Sequence, residues 1–232
     1  METDAVIRQA QGEVAGRRRA ARRWPDWLPI VTGLLVALNG LPFLARVFMW
    51  LGWEGPARAI YTIYSGLCHQ MAQRSFFLFG PGGFQMVNLA ELPVQTAGLS
   101  LAEQMLALRH FTANAEIGWK VAWSDRLVYI YVAPLLVAVL YGFVRRRRPV
   151  KPLPLWAFFL LLLPMALDGG THWLSDFAGI GAGFRYTNEW LAALTNNALP
   201  AWFYAGDAFG SFNSLMRLFS GVTFGLAVGG LV

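Results

Sequence analysis

The chain's one cysteine stands directly before a histidine in CHQMAQRSFFLFG, a stretch that also brings Gln70, Arg74 and Ser75 within a few positions of Cys68 and His69. Thiolate and imidazole bind borderline-soft divalent metals, and an arginine close by suits an anionic group. A second polar stretch, DGGTHW, sets Asp168 and His172 four residues apart, on one face if a helix runs through them. His69, Asp168, His172 and Cys68 therefore make a four-donor set of the kind that Zn²⁺ accepts, with Zn–N near ~2.0 Å and Zn–S near ~2.3 Å. The structural alternative treats the two histidines as hydrogen-bonded packing residues and Cys68 as a small buried hydrophobe.

Asp168 demands a partner under either reading. It sits in an apolar run, PMALDGG, and a carboxylate inside a membrane span costs at least ~2.5 kcal/mol on insertion scales. Arg74, Arg126, Arg217, His172 or a metal could serve, with an arginine or the histidine favoured. Asp125 and Arg126, in WSDRLVYIY, read as an interfacial pair near Lys120. Asp176, Glu189 and Asp207 fall in a long aromatic connection and read as solvated.

The elements that must hold these residues are membrane helices. Of the 232 residues 56% are hydrophobic and only 14% charged, well below the roughly 25% of soluble domains. The net charge of +6 comes largely from GRRRAARR and RRRRPVK. Both clusters abut apolar runs, so they read as topology signals rather than phosphate-binding patches, and no nucleic-acid partner is expected. A lone cysteine excludes an internal disulfide.

The expected fold is all-α: a polytopic helical membrane protein of about four transmembrane helices plus amphipathic interfacial helices. Residues 1–25 form a cytoplasmic basic arm, and residues 26–232 a single helical membrane domain with spans at about 27–50, 127–144, 155–173 and 215–232. An amphipathic helix starting near Gly55 is expected to carry Cys68 and Met71 on one stripe. Ser100 and Glu103 have capping-box spacing before a short surface helix that includes His110. Eleven of the 19 Lys and Arg lie in the arm and the loop after the second span, which puts both termini in the cytoplasm and the Cys/His/Asp/Arg cluster near the outer leaflet of the cell membrane.

CHQMAQRSFFLFG, PMALDGGTHWLSD and SFNSLMRLFSGVTFG together resemble the signature regions of the domain of unknown function 2085 family, prokaryotic membrane proteins without an assigned activity. The resemblance spans roughly residues 60–225. It implies that Cys68, His69, Gln70, Arg74 and Ser75 match a first motif, Asp168 and Gly169 a second, and Asn213, Arg217 and Gly221 a third. The chain departs from the family at Ser124, where relatives carry a further cysteine, and at His172, where many have glutamine. If the family site is a Cys/His metal site, this chain has one soft ligand fewer and one imidazole more.

The function expected is that of a noncatalytic structural or small-ligand-binding membrane component. Its polar cluster comprises Cys68, His69, Gln70, Arg74, Ser75, Asp125, Arg126, Asp168, His172, Asn213 and Arg217. Its partners are the lipid bilayer, and beyond it a lipid-like ligand or another membrane protein. The alternatives are a metal-dependent intramembrane enzyme acting on a lipid-like substrate, with a divalent cofactor such as zinc, and an oligomeric transporter.

Overall fold

Helix α1, Trp27–Trp50, opens the part of the chain that the computed structural model describes, residues 27–231. The basic arm lies outside the described residues. Pro42 inside α1 has no N–H to give the carbonyl of Leu38. That carbonyl instead accepts from Tyr64 Oη at 3.0 Å, so a proline gap becomes a tie to the next helix, α2, Glu54–Ser65. Asn39 supplies a second tie, its amide donating to Leu35 O and to Tyr131 O.

Helix α2 stops at Ser65, earlier than its apolar stripe suggests, so Cys68 and His69 are not helical. The chain turns instead, with Gln70 in the left-handed region at φ 53° and a 3-10 turn at Ala72–Arg74. Gln70 is held there because its amide donates to Tyr61 O and Ala122 O, at 3.0 and 2.9 Å, while its own carbonyl takes a hydrogen from Lys120 Nζ.

The described residues are mostly helical, as expected, but a small sheet corrects the expectation that the fold is all-α. Strands β1, Ser75–Gly80, β2, Gly83–Gln85, β3, Ala113–Asn114, and β4, Gly118–Ser124, pair antiparallel in the order β2-β1-β4-β3. The sequence hides this sheet for a physical reason. SFFLFG is a short apolar run without alternation, and β4 is buried along most of its length, so neither shows a period of two. The register pairs Ser75 with Ser124 and Phe79 with Gly118. Gly118 has φ +95°, and a Cβ there would meet Leu78 O at 2.5 Å, so only glycine lets the strands close. Helix α3, Leu101–His110, lies in the connection from β2 to β3 and starts with the expected Ser100–Glu103 capping box.

Strand β4 runs without a break into α4, Asp125–Val144. Then come α5, Leu155–Asp176, three short helices α6, Phe184–Thr187, α7, Glu189–Leu194, and α8, Ala201–Tyr204, and finally α9, Phe212–Gly229. Helices α1, α4 and α5 are long and apolar enough to cross a membrane. Helix α9 is shorter and buries a polar face between α4 and α5. It approaches α4 closely because Gly221, Gly225 and Gly229 stack at four-residue spacing. A Cβ on them would meet Tyr129 Cβ, Ala133 Cβ and Val137 Cβ at 2.7, 2.5 and 3.0 Å. The sheet sits at the end of the bundle where α4 begins. One apolar cluster around Tyr64, Val121 and Trp123 joins it to α1 and α2, and a second around Phe77, Leu108 and Tyr186 joins it to α3 and α6.

Candidate functional site

Helical periodicity brings the polar residues together at that sheet-bearing end. On α5, Asp168, His172 and Asp176 recur every four residues; on α9, Asn213, Arg217 and Ser220 share a face. The glycine pair Gly169–Gly170 does not interrupt α5, so Asp168 and His172 do lie one turn apart, 3.9 Å between Oδ1 and Nε2. The first turn of α4 adds Asp125 and Arg126, the 3-10 turn adds Arg74, and α6 adds Arg185 and Tyr186.

Four arginines and four aspartates interlock there. Asp168 is shared, with Arg185 Nη2 on Oδ1 and Arg126 Nη2 on Oδ2, both at 2.7 Å, and Ser220 Oγ donating to Oδ2 at 3.0 Å. Arg217 joins Asp125 and Asp207, both at 2.6 Å. Arg74 is bidentate to Asp176, at 2.9 and 2.8 Å, donates to Tyr186 Oη, and reaches Asp207 at 3.4 Å. Arg185 Nε and the Asn188 amide converge on Asn213 Oδ1, and the Asn213 amide donates to Gly206 O. These groups are nearly all buried, so each charge depends on its partner rather than on water.

The protonation states match these contacts. Burial works against charge on Arg74, but Asp207, Tyr186 and Asp176 outweigh it and hold its pKa well above the ordinary value. Burial pushes Asp207 up, yet Arg217 and Arg74 win and keep it below the usual carboxylate range. Arg185 donates toward His172 Nε2 at 3.2 Å, and because a guanidinium has only hydrogens to give, that nitrogen is the acceptor and Nδ1 carries the ring proton.

Arg74, Arg126 and Arg217 line a cleft of about 210 Å³, with Asp125 as its single carboxylate and Cys68, His69 and Gln70 also in its lining. The remaining aspartates lie outside its lining, behind the arginines. Arg126 Nε is buried and has no hydrogen-bond partner among the described residues. His69 is exposed at this cleft. Cys68 Sγ accepts from the backbone N–H of Gln70 and of Ser124, at 3.2 and 3.4 Å, so Ser124 lies against Cys68.

Several expectations need correction. Asp125 and Arg126 do not pair side chain to side chain; each reaches across to another helix. Lys120 is not interfacial but fully buried, with Nζ donating to Gln70 O, Leu108 O and Arg109 O. Asp207 is buried and Asp176 partly so, rather than solvated, because the aromatic connection folds back over the bundle. Ser75 and Gln70 satisfy backbone carbonyls. Among the described residues no three His, Cys, Asp or Glu are grouped to hold a metal ion; Cys68 and His69 face the cleft, whereas both oxygens of Asp168 carry arginine. Arg185 is the member that sequence reasoning missed, since FRYTNEW shows only an aromatic interfacial pattern. Ser220 was missed as well, although its seven-residue spacing from Asn213 is a signal that could have found it.

No family model matches the chain, and no solved structure matches it. Among curated proteins it is similar to Uncharacterized protein MJ1492 of Methanocaldococcus jannaschii, 28% identical over 135 residues, or 56% of this chain and 62% of that protein. The chain thus spans less than two thirds of the length of this relative.

Proposed function

We propose that the chain is a noncatalytic, four-span membrane component with both termini cytoplasmic, whose outer end clamps an extramembrane cap onto the bundle and receives a small anion in the cleft. Three candidate spans and the arginine-rich loop at residues 145–148 support the orientation, with α9 as the fourth span. The three signature stretches support a place in the domain of unknown function 2085 family.

One observation carries the ligand reading: three guanidinium groups face the cleft against one carboxylate, and Arg126 Nε, in a buried position, finds no acceptor among the described residues. A buried donor without a partner costs about 1–3 kcal/mol, and a bound anion is one way to recover it. The test is calorimetric titration of the detergent-solubilised protein with phosphate, sulfate and acetate. Saturable binding of at least one of them is expected, weakened by His69→Glu at the cleft wall, which leaves the ion network intact, and lost in Arg126→Gln. Absence of binding by all three, or binding unaffected by both substitutions, overturns the proposal.

A further inference from the structure

We infer that Arg46, near the sheet-side end of α1, seats a glycerophospholipid by pairing its guanidinium with the lipid's phosphodiester in the leaflet on that side. This goes beyond the anion cleft and rests only on α1 crossing the membrane.

Arg46 carries a charge that the fold leaves uncompensated. Its Nε and Nη1 are buried and have no hydrogen-bond partner among the described residues. Arg74, Arg126, Arg185 and Arg217 each meet a carboxylate, whereas Arg46 forms no ion pair among those residues, and Glu54, the next acidic residue along the chain, is held by Arg58 at 3.0 Å. The Arg46 guanidinium packs instead against two rings, with Cζ 4.9 Å from the centroid of Phe43 and 5.3 Å from that of Phe79. Ring faces offset part of a cation's desolvation but supply no counter-charge. A partly buried cation in a membrane helix needs one. With Nε and Nη1 enclosed, Nη2 is the nitrogen left to meet it.

The level of Arg46 in a bilayer selects the source of that counter-charge. Trp27 of α1 stacks on Tyr141 of α4 at 6.1 Å, one turn before the arginine-rich loop at residues 145–148. Aromatic rings beside arginines mark one boundary of the apolar layer. Nineteen residues of α1 separate Trp27 from Arg46, a rise of about 29 Å, which matches a hydrocarbon core of ~30 Å. Arg46 therefore stands at the opposite boundary, the level of the lipid phosphates. One turn further on, Trp50 stacks on Phe79 at 5.4 Å, and Trp50, Trp53, Phe79 and Phe84 are all exposed. The tip of the β1–β2 hairpin and the end of α1 thus share an aromatic girdle of the kind found at headgroup level. A lipid phosphate is already at that level, its chains in the apolar layer beside the exposed Leu44, whereas a free anion would have to leave bulk water to reach it. Phosphatidylglycerol and phosphatidylcholine both carry the phosphodiester, so the site reads that group and not the headgroup's net charge.

The test is native mass spectrometry of delipidated protein titrated with phosphatidylcholine, with phosphatidylglycerol, and with a galactosyl diacylglycerol that has the same chains and no phosphate. Arg46→Gln should hold one copy of either phospholipid per chain about tenfold more weakly than the natural protein does, the low end of what a charge-assisted hydrogen bond is worth, and should bind the glycolipid as the natural protein does. Arg46→Lys, which keeps the charge, should retain most of the phospholipid binding and so separates loss of the contact from loss of the fold. Arg58→Gln, at an exposed arginine of α2, and His69→Glu, at the cleft, should leave binding unchanged, and inorganic phosphate in excess should not displace the lipid. Equal phospholipid binding by the natural protein and Arg46→Gln, the same loss for the glycolipid, equal loss in Arg46→Lys or Arg58→Gln, or displacement by inorganic phosphate overturns the inference.

Discussion

Replacing Asp168 by asparagine probes the most heavily shared carboxylate in the molecule. Asp168 is 2% exposed and accepts from two guanidinium groups at 2.7 Å and from Ser220 at 3.0 Å. Asparagine keeps one oxygen for one arginine, and turns an N–H toward the other. One charge-assisted bond, about 1.5–3 kcal/mol, is lost, and two buried cations are left without a counter-charge, a situation that costs about 3–5 kcal/mol when one member of a buried pair is removed. The expected loss of stability is therefore about 3–5 kcal/mol, with Asp168→Ala at or beyond the upper end because neither arginine keeps an acceptor. Adding Arg126→Gln to Asp168→Asn returns the local charge to its original value, so the double variant should recover about 1–3 kcal/mol relative to additivity. Equilibrium unfolding in mixed micelles measures the natural protein, the two single variants and the double. A loss below about 0.5 kcal/mol for Asp168→Asn, the range of ordinary surface changes, or strict additivity in the cycle, would refute the reasoning.

Burial lowers the pKa of Lys120 to about 7, against ~10.4 in an unfolded chain. Between those values the unfolded state holds a proton that the folded state lacks, so stability should rise with pH from 7 toward 10, by up to ~1.4 kcal/mol per unit. Lys120→Met should flatten that rise; equal slopes in the two proteins would contradict it. Tyr64→Phe strips the Leu38 carbonyl of its donor and should cost about 1–3 kcal/mol, whereas in a Pro42→Ala background, with the helical N–H restored, the same change should cost far less; thermal unfolding of the four proteins checks this. In a Cys68→Ser background, single cysteines placed by Glu116→Cys and Asn196→Cys should react with an impermeant maleimide from outside intact cells, and one placed by Arg147→Cys only after permeabilisation. Reaction of the Arg147→Cys protein from outside would invert the proposed orientation.

Much of the bundle was legible because long apolar runs stand out in the sequence. Three helices long and apolar enough to cross a membrane, Trp27–Trp50, Asp125–Val144 and Leu155–Asp176, cover the stretches expected at 27–50, 127–144 and 155–173. Where a fourth span was expected at 215–232 there is a helix, Phe212–Gly229, capped by Ser211 accepting from Ser214 N, but it is not among the three helices long and apolar enough to cross a membrane. The sheet was not legible. Apolar runs as short as SFFLFG carry no period, and β4 is buried along most of its length, with the successive Val121, Ala122 and Trp123 all in one apolar cluster. For the site, four-residue spacing exposed Asp168 with His172 and Asn213 with Arg217, whereas the convergence of Arg74, Arg185 and Asp207 depends on sequence separations of up to 133 residues, which no local pattern records.

The measurement that bears most directly on the cleft is anomalous diffraction from crystals grown with selenate, a tetrahedral anion that scatters strongly. A selenium peak is predicted in the cleft, within hydrogen-bonding distance of the Arg126 guanidinium and flanked by Arg74 and Arg217. Peaks confined to the surface, with the cleft empty at saturating selenate, would contradict the proposed anion site.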